Sequence, residues 1–398
     1  MFKNILFVTF LTVSSSFAIS LDEMVDNVLN KNHDLKSLEK SIEVADKQIK
    51  VSKNWQNPVL TIGANDIHFD DSFKRDLEPM QAQYIGFSQV LPMGDKLDIK
   101  EEIAKKDKSI ATHLLDDKKL QLKSKIYEYA HNIVILEKKY ELLNKYQKNI
   151  KSLEELTNAL YENGKAKQTD IINVKIAYSK VSLKKQNLKN LINNLYLKLE
   201  EITYTKVSNI EAPLGMKTLT LNTIFDNHPK VQVVSLKSEK FNDISRLEIE
   251  KKTSDIKLNV AYFQRDDKYR DYANISVNIP LAIYGTESVN SLKAKLKAKE
   301  VESSLINLKQ KFKTTTLMLQ NDMNNAIETY RIIEETIIPL KEEVQKNIEA
   351  YNSFNLVKPQ DTINNLNEVI AYEMMLLDEI KKYFTSYSKS IYFTQGKK

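Results

Sequence analysis

The stretch of this chain that decides the fold reads LKSKIYEYAHNIVILEKKYELL, over residues 122–143. Its apolar residues recur at alternating steps of four and three, the spacing of a helix that packs against neighbours in coiled-coil fashion. No proline or glycine occurs between Gly94 and Gly164. A helix of roughly 70 residues is therefore predicted here, on the order of 100 Å long. The residues of this seam are Leu122, Ile126, Tyr129, Ile133, Leu136, Tyr140 and Leu143.

A second apolar stripe of the same kind runs through residues 286–351 and predicts a second long helix. Pro339 lies inside it and is expected to kink the helix, because proline removes a backbone donor and clashes with the preceding turn. The stripe consists of Leu305, Leu308, Phe312, Thr315, Leu319, Met323, Ala326, Tyr330, Ile333, Ile337, Leu340, Val344, Ile348 and Tyr351.

Landmarks of the sequence recur at an offset of about 190 residues, which indicates an internal duplication. The matched landmarks are Asn32-His33 with Asn227-His228, Pro92 with Pro280, Tyr161 with Tyr351, and Asp170 with Asp361. We predict a first structural repeat at 19–205, a linker at 206–220 and a second repeat at 221–398. Each repeat would contain a helix (21–54 and 221–253), two strands, the long helix and a returning helix (167–203 and 361–390).

The predicted strands are amphipathic. In 256–262 and 274–279 apolar residues alternate with polar or small ones, and Leu60, Ile62 and Ala64 alternate in the same way with their neighbours. Strands of about 10 to 12 residues are long enough to cross a bilayer at a tilt. Four strands cannot close a barrel, and an open edge in lipid leaves backbone groups without hydrogen bonds. We therefore expect several copies of the chain to complete one barrel.

Composition and spacing exclude several classes of function. The chain has no cysteine, which excludes disulfides and thiolate chemistry. Its five histidines show no ligand spacing and are interpreted as surface or interface residues, so no metal site and no cofactor are predicted. Neither a nucleic-acid-binding charge cluster nor a catalytic arrangement is found, so the chain is not expected to be an enzyme or to bind nucleic acid. Residues 1–18 have the pattern of a signal peptide.

Several short motifs, in this order and duplicated, resemble those of the TolC-like outer membrane efflux protein family. The likeness covers nearly all of the chain after the signal peptide. The motifs are Asn57-Pro58, Gln89-Val90-Leu91-Pro92-Met93-Gly94-Asp95-Lys96, Asn278-Ile279-Pro280-Leu281-Ala282-Ile283-Tyr284-Gly285, and Tyr161-Glu162-Asn163-Gly164-Lys165 leading to Asp170.

The resemblance implies an α+β membrane protein in which long coiled-coil hairpins form an α-barrel continuous with a β-barrel, each subunit giving four strands. It also implies an outer-membrane homotrimer with a large periplasmic portion, surrounded by outer-membrane lipid. Such a trimer is a passive conduit in a tripartite efflux or type I secretion system, together with a periplasmic adaptor and an inner-membrane pump. A periplasmic adaptor or a structural coiled-coil envelope protein are the alternatives; adaptors usually have one hairpin flanked by glycine-rich β-domains.

The resemblance also implies positions for functional residues. Asp361 matches the first acidic position of the family's channel constriction, whereas the second position is Asn364 here and Lys358 lies nearby. Asp361 and Asp170 also fit helix N-caps, because aspartate accepts hydrogen bonds from orphan backbone N–H groups. The periplasmic hairpin tips would include Gly164, Asp170 and Asn355. The strand-to-helix turns would be made by Pro92, Gly94, Pro280 and Gly285.

Overall fold

The computed structural model describes residues 19–70, 74–352 and 359–394, so the predicted signal peptide lies outside the described residues. The strands are β1 (Ile19–Ser20), β2 (Val59–Asn65), β3 (Ala82–Leu91), β4 (Ile210–Glu211), β5 (Ile256–Gln264) and β6 (Tyr272–Asn278). The helices are α1 (Leu21–Lys31), α2 (His33–Ser52), α3 (Lys96–Glu162), α4 (Gln168–Thr203), α5 (Pro229–Glu250), α6 (Thr286–Ile332), α7 (Ile338–Asn352) and α8 (Pro359–Thr394). A π-helical turn, Ile333–Ile337, connects α6 to α7.

The chain divides into two compact units, and each unit takes segments from both halves of the sequence. The first unit comprises Met1–Lys36, Lys118–Phe225 and Lys311–Lys398. The second unit comprises Ser37–Asp117 and Asp226–Gln310. The order of helix, two strands, long helix and returning helix occurs twice along the chain.

The second unit contains a four-stranded antiparallel sheet with the strand order β2-β3-β5-β6. Its register places Leu60 opposite Phe87, Phe87 opposite Val260, and Val260 opposite Ile275. Because side chains alternate along each strand, these apolar residues of the four strands lie on one face. On the opposite face, Phe263 stacks on Tyr84 at a centroid distance of 5.1 Å.

Charged and polar contacts join the helices of the second unit. Lys106 of α3 pairs with Asp243 of α5 at 2.5 Å, and Lys240 of α5 pairs with Asp107 of α3 at the same distance. These two reciprocal ion pairs fix the register of α3 against α5. Their contribution to the free energy of folding is modest. Between α5 and α6 the hydroxyl groups of Ser245 and Ser291, both buried, lie 2.7 Å apart.

The first unit contains the whole of the predicted α3 seam, and most of the seam residues are buried there. Ile126 and Ile133 are fully buried, and Leu143 belongs to a core that α3 shares with α4 and α8. A second core joins Ile135 of α3 to Met323 of α6 and to the aromatic rings of α8. The sequence therefore predicts correctly which side of α3 faces other helices.

The first helix is shorter than predicted and is divided in two. The chain breaks at Asn32, whose side-chain oxygen accepts hydrogen bonds from the backbone N–H groups of Asp34 and Leu35. Asn32 thereby caps the start of α2. The prediction of one continuous helix at 21–54 did not include this cap. In the second half, α5 begins at Pro229 rather than at 221, because the residue before a proline is disfavoured in a helix. His228 caps this helix, as its Nδ1 accepts from Lys230 N at 3.1 Å.

The second predicted stripe also needs a correction near its end. The π-helical turn inserts one extra residue just before Pro339, which accommodates the proline but rotates the helix beyond it. Leu340 and Val344 are consequently exposed, although the regular spacing predicts that they continue the buried stripe. The side chain of Tyr351 lies outside the described residues.

Two very short strands were not predicted. Ile19 and Ser20 form β1, which pairs in parallel with Ile210 and Glu211 of β4 inside the predicted linker. A pairing of two residues leaves no periodic signal in the sequence. Separately, no helix in residues 19–70, 74–352 and 359–394 has the length and apolar character that a membrane-spanning helix requires.

Candidate functional site

The first strand-to-helix turn is held together by several polar contacts. Asp255 forms an ion pair with the buried ammonium group of Lys96 and accepts a hydrogen bond from Met93 N at 3.0 Å. Gly94 has a left-handed backbone with φ of +72°. A Cβ atom at this position would lie 2.1 Å from Oε1 of Glu250. The backbone conformation therefore favours glycine here, and a Cβ atom would in addition push the flexible carboxylate of Glu250 aside.

The second strand-to-helix turn is more open. The hydroxyl group of Ser254 donates a hydrogen bond to the carbonyl oxygen of Pro280. Gly285 has the same φ of +72°, but a Cβ atom added there would meet nothing within 4 Å. The three large apolar side chains between Pro280 and Gly285, which are Leu281, Ile283 and Tyr284, are strongly exposed. The two turns thus share a backbone conformation but differ in their surroundings.

The turn between α3 and α4 is short. Gly164 has φ of +69°, and its N–H donates to the carbonyl oxygen of Tyr161 at 2.9 Å. Asp170 lies three residues into the start of α4, where its carboxylate accepts a hydrogen bond from Lys167 N at 2.8 Å. Asp170 therefore helps to cap the helix, although it does so from inside the first turn and is not the N-cap residue itself.

The connection between α7 and α8 carries the predicted constriction residues. Asn355 and Lys358 lie outside the described residues, whereas Asp361 belongs to the first turn of α8. Asn364 lies one turn further along α8 and is exposed. The next residue, Asn365, is buried and donates a hydrogen bond to the side-chain oxygen of Gln345 in α7.

A groove of about 760 Å³ between α3, α4 and α8 begins at this end of α8, with Asn364 in its wall. The hydroxyl group of Tyr146 on α3 donates to Oδ1 of Asn367 at 2.5 Å. Burial raises the pKa of Tyr146 to about 12, so the phenol stays protonated and remains a donor at neutral pH. This contact fixes the lateral position of α8 against α3 close to the predicted constriction.

The four-stranded sheet presents an exposed apolar face. Ile62 is 75% exposed and Ile275 is 73% exposed, although both lie in the middle of strands. A contiguous apolar surface of this kind on a single chain marks a contact with another protein or with a membrane. We call it the apolar sheet face; it consists of Leu60, Ile62, Ile85, Phe87, Val260, Tyr262, Ile275 and Val277.

The structure brings together one group of residues that sequence spacing did not single out. Side-chain ligand atoms of Asp66, His68 and Glu78 lie within 4.8 Å of one another in the connection between β2 and β3. Spacing alone assigned His68 to the surface, because Glu78 is distant in sequence. The only local signal was the Asp66-Ile67-His68 triplet, which is too common to be informative.

Comparison with known proteins gives one family and several structures. Residues 24–203 match the family described as "Outer membrane efflux protein". A search of curated protein sequences finds no match.

Solved outer-membrane proteins share the fold across nearly the whole chain. The CmeC outer membrane channel of Campylobacter jejuni is 14% identical, with a TM-score of 0.78, covering 95% of this chain and 87% of that one. The open-state MtrE outer membrane channel of Neisseria gonorrhoeae is 14% identical, with a TM-score of 0.77 and coverages of 94% and 88%. The outer membrane protein VceC of Vibrio cholerae is 12% identical, with a TM-score of 0.73 and coverages of 93% and 93%.

These findings agree with the predicted fold class of long helices combined with a four-stranded sheet in each chain. They also agree with the predicted outer-membrane localisation, and the matched family consists of channel proteins rather than enzymes. The family match over residues 24–203, a little under half of the chain, and the shared fold agree with the predicted resemblance to the TolC-like outer membrane efflux proteins.

Proposed function

We propose that this chain is one subunit of a trimeric efflux channel that conducts substrates passively across the outer membrane. The observation that carries the proposal is the apolar sheet face, which is exposed on the single chain. Burying apolar surface contributes roughly 25 cal/mol per Å². Contact with outer-membrane lipid would supply this stabilisation for all four strands.

The edges of the sheet support the assembly part of the proposal. Within residues 19–70, 74–352 and 359–394, β2 and β6 each have a neighbouring strand on one side only. All neighbouring strands in the sheet are antiparallel, so β2 and β6 run in opposite directions. The β2 strand of a second copy can therefore extend the sheet at β6 without changing the pattern. Three copies would give a closed barrel of 12 strands, as the family resemblance implies.

The helical hairpins support the partner part of the proposal. By the family resemblance, the tips at Gly164, Asp170 and Asn355 would contact a periplasmic adaptor and, through it, an inner-membrane pump. The constriction would be made by Asp361, Asn364 and Lys358, and opening would require the hairpins to splay apart. The pump would supply the energy, so the channel itself needs no cofactor. The two structural repeats, 19–205 and 221–398, would contribute equivalent parts of each wall.

The experiment that tests the proposal combines mass and conductance. The protein is purified from outer membranes in detergent, its mass is measured by light scattering, and it is added to a planar lipid bilayer. We expect the mass of three chains and discrete current steps. A soluble monomer without conductance would contradict the proposal and favour the periplasmic adaptor or the structural coiled-coil protein.

A further inference from the structure

The connection between β2 and β3 contains a group of nitrogen and oxygen ligands that the channel does not require. Nε2 of His68 lies 3.5 Å from Oδ1 of Asp66, and the carboxylate of Glu78 completes a set whose ligand atoms are all within 4.8 Å. The three residues come from the two ends of the connection. Asp66 and His68 follow β2 directly, whereas Glu78 precedes β3.

A buried side chain fixes the two ends of the connection against each other. Gln81 is only 1% exposed. Its amide group donates a hydrogen bond to the carbonyl oxygen of Asp66 at 3.1 Å. Its side-chain oxygen accepts from Leu77 N at 3.0 Å and from Glu78 N at 3.3 Å. One glutamine thus holds the backbone of Asp66 and the backbone of Glu78 at a constant separation.

The geometry suits a transition-metal ion. Zinc binds imidazole nitrogen and carboxylate oxygen at about 2.0 to 2.2 Å, which places tetrahedral ligand atoms about 3.4 Å apart. The separation of His68 Nε2 and Asp66 Oδ1 already has this value, and rotation of the exposed Glu78 side chain would bring its oxygen closer. Two carboxylates would balance the charge of a divalent ion. An imidazole ligand favours zinc and similar ions over magnesium and calcium, which prefer oxygen.

Two nearby basic side chains, Lys268 and Arg265, are engaged with groups outside this set. Lys268 forms an ion pair with Asp76 at 3.0 Å. The guanidinium group of Arg265 donates to the carbonyl oxygens of Pro79 and Arg270. Neither Lys268 nor Arg265 therefore neutralises the carboxylates of Asp66 and Glu78.

We propose that Asp66, His68 and Glu78 bind one divalent transition-metal ion, with Zn²⁺ as the best-matched ion and a water molecule in the fourth position. The ion would join the segment that leaves β2 to the segment that enters β3, in addition to the bonds made by Gln81. The proposal does not depend on the channel function, because it concerns only one connection of the sheet.

The test is a calorimetric titration of the full-length, metal-stripped protein in detergent with Zn²⁺ alone, followed by the same titration with Mg²⁺. We expect one Zn²⁺ per chain and no comparable uptake of Mg²⁺. His68→Ala and Glu78→Gln should each weaken Zn²⁺ binding by at least about tenfold, because loss of even a residue that only orients a ligand typically costs about 10- to 100-fold in metal affinity.

Two matched variants control for unspecific binding. Asp70→Asn removes an exposed carboxylate of the same connection, and His113→Ala removes a histidine on α3. Both should bind Zn²⁺ like the unaltered chain. Absence of Zn²⁺ uptake by the unaltered protein would overturn the proposal without any variant. Equal affinity in His68→Ala, Glu78→Gln and the two controls would overturn it as well.

Discussion

At the scale of single residues, two glycines with the same backbone conformation occupy different surroundings. Gly94 and Gly285 both have φ of +72°, but only Gly94 lies against another side chain, that of Glu250. Both turns were expected from the family resemblance. The contact with Glu250 was not, because it joins residues more than 150 positions apart, and no local pattern encodes it.

Substitution of these glycines should separate conformational cost from steric cost. An alanine in the left-handed region costs about 1 to 2 kcal/mol, and both Gly94→Ala and Gly285→Ala should show this loss. Gly94→Ala should be the more destabilising of the two, because its Cβ would displace Glu250 from its hydrogen bond with Asp95 N. Unfolding in detergent with increasing denaturant measures the difference. Equal losses for the two variants would show that the contact is unimportant.

His131 gives the first unit a dependence on pH. The side chain is 2% exposed, and its ring stacks on that of Phe384 at a centroid distance of 4.3 Å. Its Nδ1 lies 2.7 Å from the carbonyl oxygen of Tyr127. Burial lowers the pKa of His131 below its usual value, although the backbone carbonyls of Tyr127 and Pro213 act in the opposite direction. The unfolded chain therefore takes up this proton at a higher pH than the folded chain. The stability that His131 contributes is present above about pH 6.5 and is lost as the pH falls through the folded-state pKa.

We expect the unaltered protein to lose stability between about pH 7.5 and about pH 5.5, within the range where histidine titrates. His131→Phe keeps the aromatic stacking and removes the titration, so the loss should become smaller. His113→Phe serves as the control and should retain the full loss. Melting temperatures in detergent at the two pH values provide the measurement. An unchanged pH dependence in His131→Phe would refute this role.

Asp361 tests the proposed constriction. If three copies of this carboxylate surround the pore, they attract cations and allow multivalent cations to block the current. Asp361→Asn should weaken such block in single-channel recordings, whereas Asp361→Glu should retain it because the charge is kept. Block of the same strength in Asp361→Asn would place the constriction elsewhere, with Lys358 and Asn364 as the next positions to substitute.

At the scale of elements, the sheet makes the sharpest prediction because its two faces differ in chemistry. Ile275 belongs to the apolar sheet face, and its neighbour Asn274 points to the opposite side. Ile275→Lys should destabilise the membrane-inserted protein by about 2 to 4 kcal/mol if this face contacts the lipid interior. Asn274→Lys should be tolerated. The two variants are compared by the fraction of folded protein in outer-membrane extracts. Folded protein is recognised by its altered electrophoretic mobility in samples that have not been heated. Equal tolerance of both changes would place the sheet outside the lipid.

The ends of the long helices and of the returning helices α4 and α8 could be predicted closely, whereas the break between α1 and α2 and the start of α5 were not predicted. The observed start and end of α3, Lys96 and Glu162, follow the absence of proline and glycine between Gly94 and Gly164. The break at Asn32 has no such marker, because asparagine occurs both within helices and at their caps. The position of α5 was recoverable, since His228-Pro229 is a typical start of a helix.

The π-helical turn shows where a regular repeat ceases to predict burial. Heptad spacing assumes a constant rotation per residue, and one inserted residue turns everything beyond it by about 100°, the rotation of one residue in an α-helix. Pro339 predicted an irregularity of the helix at this point, but it did not predict a π-helical turn. The exposure of Leu340 and Val344 therefore required the structure.

At the scale of the whole molecule, the sequence predicted the class of fold because that class depends on repeated patterns. Two long heptad stripes, two pairs of alternating strands and the duplicated motifs all point to the same family, and the similarity of fold to outer-membrane channels agrees with them. The predicted repeats follow the chain from one end to the other. The two compact units instead combine segments from both repeats, which depends on long-range packing.

We propose that three copies close one barrel by pairing β6 of each copy with β2 of the next. Because the chain has no cysteine of its own, introduced pairs give an unambiguous test. Thr61→Cys on β2 is combined in turn with Asn274→Cys, Ser276→Cys or Asn278→Cys on β6, and intact cells are treated with an oxidant. A disulfide forms only when the two Cα atoms are within about 7 Å.

We predict that one of these combinations gives electrophoretic bands of two and three linked chains. Two controls should give no three-chain band: Thr61→Cys alone, and Thr61→Cys combined with Asn259→Cys on the inner strand β5. The contrary result would be that every combination gives single chains only, although the protein is recovered in the outer membrane. That result would contradict the closure of one barrel by three copies.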